Sequence, residues 1–84
     1  MTQRRKLLQK ALASPSSLRF KELCTLATQL GFVFDRTRGS HFIFRHDRLR
    51  RPLNFQDVAG NAKPFQVQQL LDAAREIGII EEEM

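Results

Sequence analysis

The stretch RTRGSHFIFRH, Arg36 to His46, gathers the side chains of this chain best suited to chemistry. It holds both histidines of the sequence and three arginines, with Phe42, Ile43 and Phe44 between them. Imidazole is the one side chain that changes charge near neutral pH without a perturbed pKa. Arginine keeps its charge and grips phosphate through paired N–H groups. Together they suit a phosphodiester. Arginines fix the anion, and a histidine moves a proton to or from an oxygen beside it.

Other chemistries lack their residues. Cys24 is the only cysteine and falls among apolar neighbours, so it reads as a small buried thiol. No cysteine–histidine set has zinc spacing. No glycine-rich phosphate loop of the Walker type occurs. Asp35 and Asp47 each precede an arginine and read as local ion partners, so no metal and no cofactor is expected. No nucleophile motif surrounds Cys24 or any serine. An enzyme built on this chain would work with very few catalytic groups.

The elements must decide where each histidine points. Leu7, Leu8, Ala11 and Leu12 share a face opposite Arg4, Arg5, Lys6 and Lys10, which predicts an amphipathic helix over 2–13. SPSS stops it at Pro15, and Ser16 and Ser17 are good caps for a second helix over 19–30. Leu23, Leu26, Ala27 and Leu30 form its stripe, and Gly31 suits its end. The period then shortens. FVFDR and HFIFRH predict a hairpin turning at Thr37–Gly39, and RPLNFQ a third strand after the polar loop HDRLR. Pro52 must sit at the beginning of that strand or on an edge. Pro64 opens a last helix whose buried stripe is Phe65, Val67, Leu70, Leu71, Ala74 and Ile77. The order is α-α-β-β-β-α: an α+β fold, three antiparallel strands with helices on one face.

Side chains alternate across a strand. If Phe42 and Phe44 face the helices, His41, Ile43 and Arg45 face outward. Phe32, Phe34, Leu53 and Phe55 then point inward, and Val33 and Asp35 outward. His41 would lie among Arg36, Arg38 and Arg45, with Arg48, Arg50 and Arg51 in the next loop. His46 shares the parity of the phenylalanines, so it reads as structural. The two histidines face opposite sides, which argues against a paired-histidine mechanism.

Size and charge agree with a polyanionic partner. Lysine and arginine number 14 against 9 acidic residues, a net charge of +5. A chain this short buries only about 60–65% of its unfolded surface, so a partner adds needed stability. Gln9 and Lys10 interrupt the only apolar run near the start, and nothing approaches the roughly 18 apolar residues of a membrane span. A soluble cytoplasmic protein is expected, with no membrane contact.

The series GFVFDRTRGSHFIFRH, preceded by the helix ELCTLATQLGF and followed by KPFQVQQLLDAAREIGI, resembles the HicA toxins, messenger-RNA interferases of HicA–HicB toxin–antitoxin pairs. The likeness runs from Phe20 to Ile79. It implies one domain over 1–84, folded like a double-stranded-RNA-binding domain, with 1–13 an additional N-terminal helix and 80–84 a frayed tail. It implies that His41 of the Gly-Ser-His turn is catalytic. Arg36, Arg38, Gly39, Ser40 and Arg45 would bind RNA, and a HicB-like antitoxin would be the protein partner. Many members carry a second histidine where this chain has Phe42. Two rival readings remain: a non-catalytic RNA-binding module of the same fold, and a basic domain that docks an acidic protein.

Overall fold

A computed structural model describes residues 3–80, with side chains from Lys6 onward. The expected order holds: α1 Gln3–Ala13, a 3-10 turn Pro15–Ser17, α2 Phe20–Gln29, β1 Val33–Arg38, β2 His41–His46, β3 Leu49–Gln56 and α3 Pro64–Glu76. Residue 2, and the expected frayed tail from 81 on, lie outside the described residues.

α1 ends where Pro15 forbids its continuation. Ser16 and Ser17, expected as caps, form the 3-10 turn instead. Leu18 is buried in an extended backbone (φ −82°, ψ 139°), which delays the helix start. Arg19 is the N-cap residue, and its N–H donates to Glu22 Oε1 at 2.9 Å. Leu23, Leu26, Ala27 and Leu30 are buried as their spacing requires, and Gly31 follows at φ +96°.

In α3 the stripe holds at Val67, Leu70, Leu71 and Ala74, with Ile77 half-buried. Phe65 departs from it and is exposed, with Lys63 Nζ 5.7 Å from its ring centre. Gln66 takes the inner position. Its buried Oε1 accepts the Gln56 N–H at 2.7 Å, tying the first turn of α3 to the end of β3. Leu12 of α1 is likewise exposed, because α1 packs through Leu7, Leu8 and Ala11.

The sheet runs β1-β2-β3, both pairs antiparallel. One face meets the helices through Phe32, Phe44, Leu53 and Phe55, all buried in one continuous core with α2 and α3. Phe42 packs on that core, its ring 4.8 Å from that of Phe20. Phe34 has the inward parity but is 49% exposed, because β1 is an edge strand lying past the cover of the helices. β3 starts earlier than expected, at Leu49, which is buried between two exposed arginines. Pro52 sits on this edge strand where the register slips between Phe44↔Leu53 and His46↔Leu49.

Candidate active site

The first hairpin is tighter than expected. Thr37 and Arg38 belong to β1, Arg38 pairs with His41, and only Gly39 and Ser40 turn the chain. Gly39 has φ +60° and Ser40 lacks a positive φ, the residue order of a II′ turn. Conformation rather than crowding asks for glycine here, because an added Cβ would meet nothing within 4 Å.

One extra residue in β1 decides which side chains meet His41. Pairing runs Val33↔Arg45, Phe34↔Phe44, then skips to Arg36↔Ile43, Thr37↔Phe42 and Arg38↔His41. Asp35 is a β-bulge. Were Asp35 paired regularly opposite Ile43, Arg36 and Arg38 would share the parity of Phe42 and face the helices. With the bulge, both share the outward parity of Ile43 and His41. Asp35 itself also reaches the outer face. Its Oδ2 accepts from Arg45 Nε at 2.6 Å and from Arg36 Nη1 at 2.7 Å. Chiefly the hydrogen bond from Arg45, and then the charges of Arg36 and Arg45, hold this carboxyl below its ordinary value. Arg38 makes no ion pair among the described residues.

His41 is half-buried on this face, and its Nδ1 lies 2.8 Å from Asn54 Oδ1. With the amide oxygen as acceptor, Nδ1 carries the proton and Nε2 is left with its lone pair. Asn54 sits opposite Ile43 on β3, one outward position from Gln56, the pairing partner of His41. Gln56 Nε2 donates to Ser40 Oγ at 3.3 Å, so the turn is braced beside the imidazole. Ile43 is outward by parity yet only 6% exposed and lies outside the continuous core. Its flanking partners are Arg36 and Asn54, and an arginine stem covers apolar surface well. Asn54 was missing from the sequence reading. Its outward position between Leu53 and Phe55 was the available signal; its partner thirteen residues earlier becomes evident only with the register.

The structure divides the remaining candidates. Arg48 Nη1 donates to the Ile77 carbonyl at 2.7 Å, and Arg51 Nη2 approaches Glu76 Oε1 at 3.3 Å. Both arginines therefore serve the C-terminal end of α3, away from His41. His46 lies on the helix side of the sheet. Its ring centre is 5.0 Å from that of Phe32, and its Nδ1 accepts the Arg48 N–H at 3.0 Å. Burial pushes the half-buried Cys24 thiol up to about 11, so it stays protonated and inert at neutral pH. Among the described residues no three histidine, cysteine, aspartate or glutamate side chains converge as a metal site. No described helix is long and apolar enough to cross a membrane.

Comparison with known proteins agrees with the pattern of elements. No curated protein and no solved structure gives a significant match. A family model described as the HicA toxin of bacterial toxin–antitoxin systems matches residues 20–79. That span opens on the first residue of α2, takes in the whole sheet and the Gly-Ser-His turn, and closes just after α3. With most of its length so matched, the chain belongs to the HicA toxins, one half of a bacterial toxin–antitoxin pair.

Proposed function

We propose that this HicA toxin is a metal-independent endoribonuclease that cuts messenger RNA in the cytoplasm, with His41 as general acid and base. One observation carries the reading: the His41 ring stands on the arginine face with Nδ1 held by Asn54, which leaves Nε2 as a base. In the proposed step Nε2 takes the proton of a ribose 2′-hydroxyl, and O2′ forms a bond to the adjacent phosphorus. The P–O5′ bond breaks, and the imidazolium returns the proton to O5′. The products are a 2′,3′-cyclic phosphate and a free 5′-hydroxyl. Arg36 and Arg45 share Asp35, so Arg38 is the arginine with all its donors available for the charge that builds on the phosphorane. Gly39 and Ser40 present backbone at the tip, where a phosphate can approach closely. One imidazole contributes about 10²–10⁴-fold by proton transfer, the scale of a slow enzyme.

Because the nucleophile belongs to the substrate, cleavage persists in excess EDTA and is abolished by one 2′-deoxy substitution at the scissile nucleotide. His41→Ala abolishes it too, while RNA binding and melting temperature hold. Equal cutting of the deoxy substrate, or activity only with a divalent metal, would make water the nucleophile and defeat the mechanism. A folded protein that binds RNA and cuts neither substrate is a binding module.

A further inference from the structure

A groove lies away from His41 among the described residues. It lies between α1 and α2, holds about 730 Å³, and is lined by Lys6, Lys10, Arg19 and Lys21 with Leu7, Glu22 and Thr25. Four cations face one carboxylate, and that carboxylate is already engaged by Lys10 Nζ at 3.0 Å and by the Arg19 N–H. The groove therefore keeps a surplus of positive charge. α1, one of its walls, lies outside the span matched to the family.

The groove is joined to the candidate active site. Arg19 bridges to Asn61, and its Nη2 lies 3.0 Å from where a β-carbon on Gly60 would stand. Gly60 belongs to the turn that begins at Asp57, whose N–H donates to the Ser40 carbonyl at 3.3 Å. Only the loop 57–61 separates the Gly-Ser-His turn from the first guanidinium of the groove.

We infer that this groove is a second phosphate-binding site for single-stranded RNA, holding the part of the substrate that extends past the Gly-Ser-His turn. The inference rests on the reading of RNA as substrate. A groove of lysines and one arginine, without stacking aromatics among its walls, takes the backbone and not the bases, so it adds grip without base preference. It is built from Lys6 and Lys10 of α1 facing Arg19 and Lys21 at the start of α2, and so gives the additional helix a task.

The test is a binding isotherm series in rising salt, made on the His41→Ala protein so that RNA stays intact. The RNA is an unstructured strand of about 16 nucleotides, the upper range for single-strand binding folds. Removing two exposed cations as Lys6→Gln with Lys21→Gln should lower the log–log salt slope by about 1.4, or 0.7 for each phosphate no longer neutralised. Arg51→Gln, on the β3 edge beside Glu76, should leave the slope as it was. An unchanged slope in the double variant overturns the inference even if the wild-type protein cuts RNA. A wild-type protein that cuts no RNA defeats the ribonuclease reading, and the slope still answers for the groove. Loss of binding to a polyglutamate peptide with the RNA slope intact overturns it in favour of an acidic protein partner.

Discussion

Asn54 is the residue on which the proposed chemistry turns most sharply. A lone imidazole on a sheet surface rotates and samples both tautomers; one hydrogen bond at 2.8 Å fixes both. Asn54→Leu should cut the rate constant by about 10–100-fold, the range seen when a histidine loses its orienting partner in metal sites. RNA affinity should change little. Asn54→Asp restores an acceptor and adds a negative charge that favours imidazolium, so the acidic limb of the pH–rate profile, where Nε2 must lose its proton to act as base, moves upward. A Leu variant as fast as wild type would leave Asn54 a bystander. His46→Ala makes the contrast: activity persists, while removal of the ring packed on Phe32 and of the acceptor for Arg48 costs about 1–2 kcal/mol of stability. The direction of His41 was legible from alternation alone. The partner of His41 was not, because an asparagine between two apolar residues signals only an outward position.

At the scale of elements, α2 owes its start to Glu22. Its carboxylate accepts the Arg19 N–H and pairs with Lys10, which together hold its pKa below the ordinary 4.5, the backbone bond being the larger cause. A depressed folded value stabilises the fold above 4.5, and that gain is lost as the pH falls through the folded value. Glu22→Ala should therefore cost about 0.5–2 kcal/mol in urea melts at neutral pH, the range of a lost cap. The gap should narrow as melts are taken to lower pH, through the depressed value at which the wild-type carboxyl takes up its proton. A gap that ignores pH would mean that the cap contributes nothing. Helix positions and the hairpin were readable because apolar spacing changes period at Phe32. Their details were not. The buried Leu18 moved the helix start, Leu49 was hidden among arginines, and Phe65 gave its inner place to Gln66, whose amide is needed at the end of β3.

For the whole molecule, one sheet face is committed to the core and the other is open, basic and centred on His41. The toxin–antitoxin family implies a protein partner, and the expectation is an acidic HicB-like antitoxin seated on this face. Added antitoxin should block cleavage and raise the melting temperature, by about 2.7 kcal/mol of stability at a hundredfold excess over Kd. High salt should weaken the complex, since charge supplies part of it. A tight complex in which His41 still cuts RNA would show that the antitoxin sits elsewhere. The α+β class and the order of elements were legible because the breaks at Pro15, Gly31, Gly39 and Pro64 punctuate the sequence. The groove was not, since it exists only once α1 folds back on α2.

The bulge at Asp35 gives the hairpin two phases. Below it, the base is keyed to the oily interior through Phe44, with Phe34 on the same side; above it, the tip is keyed to the ligand side through Arg36, Arg38 and His41. The extra residue works as a half-period spacer between these zones. Pairing Asp35 into a regular ladder opposite Ile43 would keep every arginine in the chain and yet turn two of them toward the phenylalanines. The composition of the strand would look almost unchanged while its polarity was inverted. The register between Phe34 and Arg38 therefore matters as much as the identity of the residues, and the slip in β1 is itself a functional property.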